Sequence, residues 1–162
     1  MDLAKTRLTQ ERKKWRKEKQ TMPGFQAKPI KSNSTLDLFK WELLVPGKEN
    51  TPWEHGLYKF IASFPPDYPQ KAPKITSIPP LFHPNVYPSG NLCLSLIDDT
   101  KDWKSSISIK DLLKSLQMFL SSPNGGDPAH PEAIKLFRRD LNLYNNKIKQ
   151  QAKERTPMKI VD

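Results

Sequence analysis

The sequence predicts an α+β domain. Three observations carry that reading: helical spacing in a charged stretch at residues 2–20, two runs of apolar and polar alternation between positions 39 and 64, and a return to helical spacing after Ser108. Ala4, Leu8 and Trp15 fall near one face of the first segment and basic residues fill much of the rest, which makes it an amphipathic helix. Pro23-Gly24 ends it. Phe39, Trp41, Leu43 and Val45, then Tyr58, Phe60, Ala62 and Phe64, alternate with mostly polar residues, as half-buried strands do. Pro46-Gly47 and residues 47–56 supply the turn between them, so an antiparallel meander is the simplest arrangement. A third, shorter run covers residues 75–78.

Residues 79–106 are rich in proline and lack sustained periodicity, and long irregular segments of this kind tend to be functional. Ser108 is placed to cap a helix with Ile109, Leu112, Leu113, Leu116, Phe119 and Leu120 at helical spacing. After a Pro- and Gly-rich loop, Pro131 suits the first turn of another helix, with Glu132 near its positive end. Leu141, Tyr144, Ile148 and Ala152 mark a final helix.

At 162 residues the chain fits one domain, 1–162. No apolar run approaches the roughly 20 residues a spanning helix needs, so no membrane partner is expected. The amino terminus is too charged for a secretory leader. A single cysteine excludes an internal disulfide and fits a reducing compartment, so the nucleus and cytoplasm are the expected locations. The net charge of +10 calls for an acidic partner. Nucleic acid and an acidic protein both qualify, but the basic run Lys13-Lys14-Trp15-Arg16-Lys17 places its aromatic on the apolar helix face, which argues for core packing over specific nucleic-acid binding.

The one cysteine, Cys93, sits in His83-Pro84-Asn85-Val86-Tyr87-Pro88-Ser89-Gly90-Asn91-Leu92-Cys93-Leu94-Ser95. A sulfur that accepts an acyl group needs exposure and a way to stabilise the oxyanion formed when its thioester is attacked. Asn85 is a candidate donor because its amide is neutral, and Pro84 and Pro88 restrict the backbone between the two residues. A lone cysteine is ordinarily a small buried hydrophobe. Its flanking residues argue otherwise here.

This block resembles the active site of the ubiquitin-like conjugating enzymes, with His-Pro-Asn ahead of a cysteine followed by leucine. Pro-Leu-Phe-His-Pro-Asn-Val-Tyr-Pro-Ser-Gly at 80–90, together with Lys101-Asp102-Trp103, is similar to the branch that conjugates SUMO rather than ubiquitin. The resemblance covers nearly the whole chain. It implies the ubiquitin-conjugating-enzyme fold: an N-terminal helix, a four-stranded antiparallel meander on a central helix, and two C-terminal helices. The fourth strand is then expected between the prolines after Ser77 and the turn at His83. Tyr68-Pro69 resembles a family loop in which the X-Pro bond can be cis.

The resemblance also implies a reaction without cofactor or metal, and His55 and His130 have no metal-ligand spacing with His83. Cys93 accepts the SUMO carboxyl terminus as a thioester and then passes it to a substrate lysine. Asp127 orients and deprotonates that lysine opposite Tyr87, with desolvation against Tyr87, Pro128 and Ala129 lowering the amine pKa. His83 and Pro84 support the turn that carries Asn85. Lys74 and Ser89 read an acidic residue near the acceptor lysine; Asn91 and His130 stand where the family commonly has threonine and glutamine, and Thr100 where it often has aspartate. Arg12, Lys13, Arg16 and Lys17 correspond to the surface for the activating enzyme and a second SUMO. SUMO ligases and substrate proteins complete the implied partners of a monomer. A ubiquitin-conjugating enzyme and a non-catalytic scaffold of the same fold are the alternatives.

Overall fold

Residues 2–157 are described by a computed structural model. The first helix, α1 (Leu3–Glu18), starts where Asp2 accepts a hydrogen bond from the Lys5 N–H and continues into a 3-10 turn, Lys19–Thr21. It buries Ala4, Leu8 and Trp15 as the spacing requires. Glu11 is also buried, because Arg7 binds it at 3.1 Å and reaches on to the carbonyls of Ser105 and Ile107. That pairing ties α1 to the segment ahead of the central helix.

Four strands follow in the order β1-β2-β3-β4, each antiparallel to its neighbour: β1 (Gln26–Ser32), β2 (Thr35–Pro46), β3 (Leu57–Ser63) and β4 (Lys74–Ser77). Trp41, Leu43 and Val45 on β2, Tyr58, Phe60 and Ala62 on β3, and Ile75 on β4 form the buried face. The short run at 75–78 is therefore the fourth strand, and no strand lies between Ser77 and His83 as expected. The strand that sequence reasoning missed is β1. It is an edge strand carrying Gln26, Lys28, Lys31 and a proline, and its register shifts between Pro29 and Ile30, so it shows little alternation.

The central helix, α2 (Ile109–Ser121), opens with a capping box: the Asp111 N–H donates to Ser108 Oγ at 3.1 Å, and the Ser108 N–H donates to Asp111 Oδ2 at 2.9 Å. All six apolar residues expected on its inner face are buried, at about 1.5–3 kcal/mol for each large side chain. Then come α3 (Pro131–Arg139) and α4 (Leu141–Glu154). Tyr144, Ile148 and Ala152 are buried, but Leu141 is exposed because it begins α4 at the corner with α3. Tyr68-Pro69 is cis, and so is Ile78-Pro79. Among the described residues no helix is long and apolar enough to cross a membrane.

Two contacts fix the irregular segment after β4. Gln151 on α4 clamps Phe82, accepting from its N–H at 2.8 Å and donating to its carbonyl at 3.3 Å. Gly90 turns at φ +94°, with its carbonyl accepting from the Ser77 N–H at 2.8 Å. A Cβ at Gly90 would meet the Ser77 carbonyl oxygen, so only glycine lets the turn lie this close to β4.

Candidate active site

A small hairpin brings the thiol to the asparagine. Val86 bridges Leu92, the Tyr87 N–H donates to the Asn91 carbonyl at 2.9 Å, and the Cys93 N–H donates to the Asn85 carbonyl at 2.8 Å. Cys93 and Asn85 are thus backbone neighbours, and Cys93 is half-buried.

His83 anchors the start of this turn. Its Nε2 lies 2.9 and 3.1 Å from the carbonyls of Phe119 and Leu120, which only accept, so Nε2 carries the hydrogen; Nδ1 accepts the Asn85 N–H at 2.9 Å. Burial pushes the His83 pKa down to about 4, against a smaller opposing effect of the two carbonyls. The imidazole is neutral, with both nitrogens occupied. The Pro84 carbonyl accepts from the N–H groups of Ala129 and His130, at 2.8 and 3.2 Å, so the same turn holds the opposite loop.

Asn85 departs from the expectation of a free oxyanion donor. It is fully buried, and its Nδ2 donates to the carbonyls of Asn124, at 2.7 Å, and Asp127, at 2.9 Å. Its Oδ1 accepts the Asn124 N–H at 2.7 Å. The amide is spent on bracing the 124–127 loop, whose carbonyls have no strand or helix to satisfy them.

A cleft of about 450 Å³ opens beside Cys93, lined by Tyr87 and Asn91 from the hairpin, Lys74 from β4, Asp127 from the braced loop, and residues 94–95 and 97–101. Sequence reasoning named five of these side chains, Cys93, Tyr87, Asp127, Lys74 and Asn91, and the fold brings them together. Asn91 is oriented by Thr76, whose hydroxyl donates to Oδ1 at 2.9 Å. The Asp127 side chain is 49% exposed, so the open cleft does not shelter it as expected.

Four expected substrate contacts stand elsewhere. Ser89 and Pro128 are exposed but do not line the cleft. Ala129 is buried, turned inward by its bond to Pro84. His130 caps α3, its Nδ1 accepting the Ala133 N–H at 3.1 Å, and its ring stands edge-on to Phe82. Conversely, Lys101, Asp98 and Asp99 line the cleft without having been proposed as site residues. Lys101 Nζ lies 3.6 Å from Asp127 Oδ2. Hydrogen bonds from Thr100 hold the Asp98 carboxyl below its usual range, and Asp99 accepts from the Ala72 N–H at 2.7 Å, joining this loop to the one before β4. The Lys101-Asp102-Trp103 run and the neighbouring Thr100 are the sequence signals for this segment. Among the described residues no cluster of His, Cys, Asp or Glu is arranged to hold a metal.

A second cleft of about 360 Å³ lies between α1 and β1, lined by Arg12, Arg16, Lys19 and Lys28 around Trp15, Phe25 and Pro29. Lys13 and Lys17 are exposed on α1 outside it. Basic groups around an apolar floor suit an acidic protein surface.

The ubiquitin-conjugating enzyme family profile matches residues 7–152. The chain is 49% identical over 151 residues to the SUMO-conjugating enzyme UBC9 of Caenorhabditis elegans, spanning 93% of this chain and 90% of that one. It is 41% identical over 156 residues to the SUMO-conjugating enzyme ubc9 of Dictyostelium discoideum, spanning 96% and 97%. A half-buried thiol on a proline-stiffened hairpin, a four-stranded sheet on a capped central helix and these relatives agree: the chain belongs to the ubiquitin-conjugating enzyme family, in its SUMO-conjugating branch.

Proposed function

We propose that Cys93 is the acyl carrier of this SUMO-conjugating enzyme. In the first step its thiolate attacks the thioester presented by the activating enzyme, forming a new carbon–sulfur bond and releasing the activating enzyme's sulfur. In the second, a substrate lysine attacks that carbonyl, the carbon–nitrogen bond forms, and the Cys93 sulfur leaves. The observation that carries this reading is the cleft that Cys93 shares with Asp127 and Tyr87, while both ring nitrogens of His83 are occupied elsewhere. No cysteine–histidine pair is needed, because the sulfur is nucleophile in one step and leaving group in the next.

Asp127 and Tyr87 receive the incoming amine. At an ordinary pKa of about 10.4, about one lysine in a few thousand is neutral at pH 7, so orientation and proton acceptance both speed transfer. Asp127 is 49% exposed in the open cleft, so the bound substrate has to supply the shelter that lowers the amine pKa. Asn85 supports the reaction by holding the Asp127 loop in place. Lys74 and the Asn91 amide recognise an acidic residue near the acceptor lysine, one cation and one donor on the same wall. Arg12 and Arg16, flanked by Lys13 and Lys17, engage the activating enzyme and a further SUMO, and SUMO ligases act on the charged form. The nucleus and cytoplasm are its working compartments.

The deciding experiment incubates the purified chain with activating enzyme, ATP and either SUMO or ubiquitin. A SUMO adduct that reductant removes and Cys93→Ala abolishes is expected. No adduct with either modifier would end this reading, and preferential ubiquitin charging would move the enzyme to the sister branch.

A further inference from the structure

The loop that carries Asp127 contains two adjacent glycines, Gly125 and Gly126, and the peptide between them makes no bond to Asn85. Neither glycine has a side chain to restrict that unit, so by itself it would turn over readily. Both of its edges are held. The Gly126 N–H donates to Asn124 Oδ1 at 2.9 Å, and the Gly125 carbonyl accepts from Arg138 Nη2 at 2.6 Å, a short bond to a charged donor. Among the described residues that carbonyl has no other donor. Arg138 stands in the last turn of α3, a helix fixed by its buried Ala133 and Ile134 and by the His130 cap. The guanidinium therefore reaches from a rigid element to a peptide of the loop that the Asn85 brace leaves open.

We infer that Arg138 is a positioning residue for lysine transfer, fixing the Gly125–Gly126 peptide and through it the direction in which Asp127 presents its carboxylate to the incoming amine. This rests on the proposed role of Asp127. Asp127 follows Gly126 directly, and its carboxylate meets Asn124 Nδ2 at 3.4 Å and Lys101 Nζ at 3.6 Å, two long contacts with which solvent competes. Its aim is thus set by the backbone beneath it more than by its own bonds. Arg138 does not line the cleft, so it acts through the loop and not on the substrate. An arginine in the last turn of a helix also has a plainer use, a favourable interaction with the helix's negative end. That use would not reach Asp127.

The test charges the full chain with SUMO, removes ATP, and follows discharge onto a lysine peptide over a range of concentrations, with rates taken per thioester present. Arg138→Ala is expected to lower the rate at saturating peptide roughly tenfold, with little change in the concentration that gives half that rate, because the carboxylate is misaimed while the cleft wall still stands. In a chain already carrying Asp127→Ala, the same change is expected to add no further loss, since both act through one group. Gly125→Ala narrows the freedom of the peptide at a site where the added methyl would meet only Arg138 Nη2, at 4.0 Å, and where φ is not left-handed. It is expected to restore about threefold of the rate lost in the Arg138→Ala enzyme. Full-speed transfer by Arg138→Ala, a loss that multiplies with that of Asp127→Ala, or no recovery with Gly125→Ala would each overturn the inference while leaving Asp127 in its role. Transfer by Asp127→Ala as fast as by the unsubstituted enzyme would instead remove the role of Asp127, and this inference with it.

Discussion

Asn85 and Asn124 bind each other reciprocally: the Asn85 Nδ2 donates to the Asn124 carbonyl and the Asn124 N–H donates to the Asn85 Oδ1, both at 2.7 Å. Removing the side chain frees one wall of the cleft. Asn85→Ala should therefore lower unfolding stability by about 1–3 kcal/mol and slow lysine transfer by about 10²-fold, while thioester formation on Cys93 persists. Denaturant melts and single-turnover discharge measure the two effects. An unchanged melt with slow transfer would favour direct action on the oxyanion over bracing.

Asp127→Ala separates the two half-reactions. Charging is expected to proceed at the normal rate while transfer to a lysine peptide falls about 10²-fold, with partial recovery at higher pH as more acceptor amine is neutral. Equal losses in both steps would contradict the assigned role.

His83 gives a signed pH dependence. Its folded pKa of about 4 lies below the ordinary value of 6.5, so the unfolded chain binds more protons between these limits and stability rises with pH across them. Stability from this group is complete above about pH 6.5 and lost as pH falls toward 4, by about 3 kcal/mol in all. Denaturant titrations at several pH values should show that acid slope, and His83→Gln should flatten it while lowering stability at neutral pH.

Reversing charge in the second cleft tests the α1 surface. Arg12→Glu with Arg16→Glu should slow charging by the activating enzyme at low salt, with the difference shrinking as salt is added. Transfer from enzyme already charged should be unaffected, because these residues lie outside the catalytic cleft.

Lys74→Glu should reduce transfer to a peptide carrying an acidic residue near its lysine about tenfold more than transfer to its amide counterpart. Paired discharge assays read this directly, and equal losses on both peptides would remove Lys74 from recognition.

The helices were legible because their signals are local. Ser108 and the apolar residues after it announce α2 within a few positions, and Pro131 announces α3. The nearness of Cys93 to Asn85 was likewise readable through the prolines that stiffen the hairpin. β1 was not, since an edge strand of lysine, glutamine and proline has little apolar surface to pattern. The spent amide of Asn85 was hidden for another reason: its partners lie about forty residues away, in a loop whose own sequence shows no need of them. His130 illustrates a third. Proline marks where α3 begins, but histidine is an uncommon cap, so nothing local ties its ring to Ala133, and its place at a family glutamine position points to substrate instead.

The Gln151 clamp on Phe82 makes the last helix a working part of the catalytic rim. Phe82 immediately precedes His83, so fraying that reaches Gln151 would slacken the strap on which the sulfur's hairpin hangs. Mild heat, or trimming from the carboxyl end as far as that glutamine, will then blunt conjugation while the sheet and central helix are still intact.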